Sequence, residues 1–159
     1  MRGKAFSLPV ILMLSLIMLL LGLGFLNKRA RQYRGAYQTT YSVMALQLAK
    51  AGLEEARVKL EKCSTFPPQS GLDQKAFSYT EILTPNQDSY TVTIDLALRE
   101  KPFCIVRIHS VGTSGPINQP RARRALKAEV DFSPTLRSDS ATANPDYFQF
   151  VHFQDLGSL

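Results

Sequence analysis

Catalytic chemistry has few carriers in this sequence. There are only two histidines, His109 and His152, each in strand-like sequence and neither part of a ligand-spaced cluster. The two cysteines, Cys63 and Cys104, stand 41 residues apart, which excludes the paired-cysteine spacing of a zinc site. Gly112 and Gly115 form a glycine-containing stretch, but no Gly-Lys-Ser/Thr follows to cradle a phosphate. The carboxylates are scattered, without a defensible general acid and base. These absences predict a chain that is not an enzyme, with no catalytic residue, no metal and no cofactor.

Charge is the next absence. From Ala5 to Leu26 there are 22 consecutive residues without one charged side chain, rich in Leu, Ile, Met, Val and Phe. A helix needs roughly 20 apolar residues to cross a hydrocarbon core about 30 Å thick. Cleavable secretory signals have shorter apolar regions, roughly 7–15 residues, ending in a small-x-small site. Here Asn27, Lys28, Arg29 and Arg31 follow the run instead, as a stop. The reading is a retained, single membrane-spanning helix. With 159 residues in all, there is room for one modest domain beyond it.

The net charge of +6 and pI near 9.5 raise the question of nucleic acid. Residues 28–62 hold eight Lys/Arg against three Asp/Glu, whereas residues 63–159 hold nine against ten. The basic excess therefore sits beside the membrane, where it faces lipid headgroups. A nucleic-acid binder would carry a basic face on the domain itself, so the partners predicted are a membrane and no nucleic acid. Orientation stays open: Arg2, Lys4 and the free amine lie before the span and Lys28, Arg29, Arg31 and Arg34 after it, a small excess that favours the C-terminal side as cytoplasmic without fixing it. Cys63 and Cys104 allow a disulfide in an oxidising compartment, closing a loop of roughly 40 residues at about 3–4 kcal/mol. Two unbridged thiols in a reducing compartment fit the same sequence.

The helical pattern continues past the bilayer. Ala30 to Lys62 contains no proline and only two glycines, Gly35 and Gly52. Tyr33, Tyr37, Tyr41, Met44 and Leu48 form one apolar stripe; Ala45, Ala49, Leu53, Ala56 and Leu60 form an adjacent one. Both are expected to pack on a sheet. Pro67 and Pro68 mark the break beyond Lys62. Then the period changes to two. Phe77–Leu83 is a short strand; Tyr90, Val92, Ile94, Leu96 and Leu98 share one strand face; Cys104, Val106, Ile108 and Ser110 share another, ended by a Gly112–Gly115 turn. Leu126, Ala128, Val130 and Phe132 form a third face, with Lys127, Glu129 and Asp131 opposite. Brief connections predict an antiparallel meander. Pro134–Pro145 reads as a mobile linker, and Tyr147–Phe153 as an added strand or docking tail. The fold class is α+β: a long N-terminal helix, half in the membrane and half soluble, on a small antiparallel sheet.

Lys4-Ala5-Phe6-Ser7-Leu8 before the apolar run resembles the N-terminal motif of type IV pilins and of the pseudopilins of type II secretion. Leu48 to Ala56, the Arg107–Thr113 segment and the strand from Arg123 are similar to a minor-pilin subgroup, so the resemblance covers residues 1 to about 132. It implies five segments: a leader peptide at 1–5, the transmembrane helix at 6–26, its soluble continuation at 27–62, the β domain at 63–133, and a linker and tail at 134–159. It also implies cleavage between Ala5 and Phe6 by prepilin peptidase and methylation of the new terminus. The helix would then assemble with other pilin or pseudopilin subunits.

Two positions depart from the family pattern. Ala5 stands where the family prefers Gly, and Val10, the fifth mature residue, stands where major pilins carry Glu. The missing Glu resembles subunits placed at a filament tip. The function implied is a minor pilin or pseudopilin-like subunit of the bacterial inner membrane, its domain in the periplasm or outside the cell, initiating or capping a filament. The alternatives are an envelope protein whose β domain binds a protein partner without a filament, and a cytoplasm-facing membrane adaptor.

Overall fold

A computed structural model describes residues 7–63, 66, 75–83 and 87–158. One helix, α1 (Ser7–Lys62), is followed by five strands: β1 (Ala76–Ile82), β2 (Ser89–Asp95), β3 (Ile105–Ser114), β4 (Ala122–Asp131) and β5 (Phe150–Ser158). The chain divides into two compact units, residues 1–39 and 40–159.

In the first unit α1 is a lone helix. Pro9 lies in its first turn, where the missing N–H is an orphan donor in any helix. The polar Ser15 is satisfied locally, its hydroxyl donating to the Leu12 carbonyl at 2.9 Å.

In the second unit the remainder of α1 packs on a five-stranded antiparallel sheet of order β1-β2-β3-β4-β5, the meander that short connections dictate. Alternation puts Tyr90, Val92 and Ile94, then Val106 and Ile108, then Leu126, Ala128 and Val130 on the buried face. The register aligns them in rows across the sheet, Ile94 opposite Ile108 and Ile108 opposite Ala128, Val92 opposite Ser110 and Ser110 opposite Leu126. Ala45, Ala49, Leu53, Ala56 and Leu60 of α1 cover these rows and are fully or almost fully buried. Lys59 and Lys62 sit in the last turn, where the helix dipole favours cations. The α+β arrangement read from the sequence is the observed one.

Several local expectations are corrected. Tyr33 and Tyr37 lie in the first unit and are exposed, so of the two apolar stripes the small-residue one makes the core. Strand β2 stops at Asp95, because the Asp95 carboxylate accepts the Ala97 N–H at 2.9 Å and turns the chain; Leu96 and Leu98 fall outside it. Gly112 lies inside β3 and not in a turn, which comes at Gly115 with φ +101°. Cys104 precedes β3 with φ +50°, so it does not share the Val106–Ile108 strand face.

Residues 134–145, expected to be a mobile linker, form a hydrogen-bonded loop that continues to residue 149. Asp131, almost fully buried, accepts the Ser133 N–H at 2.8 Å and pairs with Arg137 at 3.1 Å. The Asn144 side chain donates to the Ser133 carbonyl at 2.9 Å, and the Phe148 N–H to the Asp131 carbonyl at 2.8 Å. Phe148 then stacks edge-on to Phe132, their centroids 4.6 Å apart. The final strand runs Phe150–Ser158, beginning and ending later than expected, and pairs with β4 through two register shifts.

Candidate functional site

Ala5 and Phe6, the residues of the expected processing junction, lie outside the described residues. Val10 lies within the first turns of α1 with 52% of its surface exposed. It begins an unbroken exposed apolar surface: Val10 to Leu14, Leu16 to Leu21, Leu23, Phe25 and Leu26 are all exposed. The span has a mean hydropathy of 2.6 over its most apolar window, and none of that window is buried. A helix with apolar side chains all round and nothing covering them is suited to hydrocarbon, not water. This one long apolar N-terminal helix is able to cross a membrane.

Beyond the span, α1 keeps apolar side chains in the open at Tyr33, Tyr37, Val43 and Met44. Tyr41 has a partner instead. The Arg121 guanidinium donates to its hydroxyl and lies 4.7 Å from its ring centre, tying α1 to the loop between β3 and β4.

The most connected polar cluster joins α1 to the sheet. Glu55 accepts a hydrogen bond from Tyr90 at 2.5 Å and pairs with Lys59. Lys59 also lies 3.8 Å from Glu81 and 4.1 Å from the ring centre of Tyr79. Burial, then the hydrogen bond to Glu55, push the Tyr90 hydroxyl above the usual tyrosine range. Burial, then the charge of Glu55, do the same to Tyr79. Of the two, only the Tyr90 hydroxyl ties the sheet to α1, through Glu55; the Tyr79 hydroxyl is buried without a hydrogen-bond partner. The Glu55–Lys59 spacing was visible in the sequence; its link to Tyr90 was not, since 35 residues separate the two partners.

The histidines fall on β3 and β5, where His109 sits opposite Lys127 and His152 opposite Glu129. Among the described residues no group of three His, Cys, Asp or Glu is placed to hold a metal ion. No disulfide joins Cys63, exposed just after α1, to Cys104, half-buried before β3. The free edge of β5 presents Val151, Phe153 and Leu156 to solvent. No protein-family model, curated protein or solved structure matches the chain. The candidate site is the uncovered apolar surface of α1 from Val10 to Leu26.

Proposed function

We propose that this chain is a minor pilin or pseudopilin-like structural subunit that initiates or caps a type IV pilus-like or secretion filament, and that it is not an enzyme. The observation that carries the reading is the division of labour along α1. Its first half is apolar and uncovered, while its second half uses a small-residue face to hold an antiparallel sheet. Such a helix moves from lipid into a bundle of like helices with little hydrophobic penalty, because both surroundings are apolar. Gly22 and Gly24, where an added Cβ would stand in open space, lower local helix stability by about 1 kcal/mol each relative to alanine. They give the helix a place to adjust during that transfer. Lys4-Ala5-Phe6 supplies the junction for prepilin peptidase, and Val10 in place of Glu assigns the subunit to the tip, where no neighbour's terminal amine needs a carboxylate. On this reading the chain sits in the bacterial inner membrane with its domain in the periplasm, and reaches the filament tip on assembly.

The test is intact-mass and N-terminal analysis of the native protein. The expected chain begins at Phe6 and carries one added methyl group. An unprocessed Met1 or Arg2 terminus, in cells with active prepilin peptidase, would overturn the reading. It would favour a membrane-anchored envelope protein that binds a protein partner, for which the exposed apolar side chains of β5 supply the supporting observation.

A further inference from the structure

The turns of α1 just past the span carry charge of one sign. From Met1 to Leu53 the sequence has no Asp or Glu. Lys28, Arg29, Arg31 and Arg34 are exposed, and the unit that contains them, residues 1–39, holds no acid to neutralise them. At about 100° per residue they point in four directions round the helix, near 0°, 100°, 300° and 240°, within about 9 Å of axis. A headgroup layer is about 5–8 Å deep on each side of the hydrocarbon. The collar begins two residues after Leu26, the last of the apolar run, so Lys28, Arg29 and Arg31 fall within that depth and Arg34 reaches back toward it.

Tyr33, about 65% exposed, projects near 140°, in the gap between Arg29 and Arg34. It lies about 10 Å of axis past Leu26, and its side chain leans back toward the span, which brings its ring to the polar layer where tyrosine is enriched. Phe25, Lys28, Arg29 and Gln32 line a shallow notch, apolar toward the span and cationic away from it. That is the complement of a lipid's acyl–glycerol–phosphate junction.

We infer that this collar is a binding site for anionic phospholipid headgroups, in the leaflet on the C-terminal side of the span. A protein partner would meet cations gathered on one face of the helix, whereas cations spread over about 220° of its circumference meet a ligand that surrounds it. The inference rests on the membrane anchoring in the reading above and is independent of filament assembly.

The test uses the full chain in phosphatidylcholine vesicles containing trace spin-labelled phosphatidylglycerol or phosphatidylcholine, with the motionally restricted fraction read by electron paramagnetic resonance. Phosphatidylglycerol is expected to associate on the order of five-fold more strongly, and the preference should weaken as salt is raised. Combining Lys28→Gln, Arg29→Gln, Arg31→Gln and Arg34→Gln should bring the two lipids to parity, whereas Arg→Lys at the three arginines should preserve the preference. Protease protection checks that the glutamine variant inserts, and the wild-type comparison decides the matter if it does not. Equal association of the two lipids with the wild type would overturn the proposal. So would a preference that survives in the inserted glutamine variant, or displacement of the lipid by soluble glycerol phosphate. None of these readouts depends on leader processing, so a failure here is distinguishable from a failure of the pilin reading.

Discussion

Gly112 of β3 lies directly against the backbone of α1 at Ala45: a Cβ added to it would stand 2.0 Å from the Ala45 carbonyl oxygen and 2.5 Å from the Ala49 nitrogen. Both neighbours are main-chain atoms, so no rotamer change relieves the clash. A turn further along, the relationship reverses. There Gly52 of the helix makes room for Ser110 of β3, whose hydroxyl would stand 2.5 Å from an added Cβ. Helix and sheet approach this closely only because each presents a glycine where the other presents bulk.

Gly112→Ala should therefore destabilise the helix–sheet unit by about 1–3 kcal/mol through overpacking. Thermal melting of near-ultraviolet circular dichroism, on the full chain in detergent, measures this. Gly35→Ala is the control: a Cβ added there would stand in open space, so the change should be neutral or stabilising by up to about 1 kcal/mol. Equal melting temperatures for wild type and Gly112→Ala would refute the close contact.

Tyr90, buried, and Tyr79, half-buried, separate by their hydroxyls. Tyr90→Phe removes the bond to Glu55 and should cost about 1–2 kcal/mol. The Tyr79 hydroxyl is buried without a hydrogen-bond partner, so Tyr79→Phe should cost nothing or stabilise. Chemical denaturation of the two variants side by side checks the ordering.

Alkaline pH acts on the same pair. Folding raises both phenol pKa values above the unfolded value of about 10. A raised folded-state value means that folding favours the protonated form. The contribution is therefore complete below about pH 10 and is lost as pH rises beyond it. A pH series of unfolding midpoints should be flat with respect to these groups up to about pH 10 and fall above it, less steeply in Tyr79→Phe/Tyr90→Phe.

Arg137 pins the loop after β4. Arg137→Met leaves the Asp131 carboxylate, almost fully buried, without its cation, and also removes a 2.7 Å bond to the Phe103 carbonyl. Because the arginine is half exposed, the cost should be about 1–2 kcal/mol, well below that of a fully buried pair. Amide hydrogen exchange across residues 132–148 should quicken while that of β2 and β3 stays unchanged.

Val10→Glu tests position in a filament. In an assembling subunit the new carboxylate should meet a neighbour's terminal amine, so the variant should spread from the tip into the shaft. Gold labelling of an epitope on the β domain reads the distribution. In a plain membrane anchor the same change gives no filament and only a modest insertion penalty, since the site is near the end of the span. Labelling confined to the tip for both forms would show that residue 10 does not set position.

The anchor, the end of α1 at Lys62 and the inward faces of β2, β3 and β4 were legible in the sequence because each rests on a local period: continuous apolarity, 3.6 residues, or 2. The Val92–Ile94, Val106–Ile108 and Leu126–Val130 faces needed no knowledge of their partners. The exposed apolar surface of α1 was legible as composition.

Tertiary structure decided what depends on residues far apart in the chain. Two apolar stripes ran side by side along α1, and periodicity could not rank them. Close approach to Gly112 and Ser110 selected the alanines for the core and left Met44 half exposed at its margin, beside the Ser114 hydroxyl. Gly112 itself looked like a turn residue, because a glycine required by a neighbouring helix and one required by a positive φ read alike. The order of residues 134–149 was hidden for a similar reason. Their Ser, Thr, Ala and Asp composition carries no period, and the loop is held by single bonds to Asp131 and by the Phe132–Phe148 contact. Local pattern is written in neighbouring residues, whereas packing is settled by which distant surfaces can approach without collision.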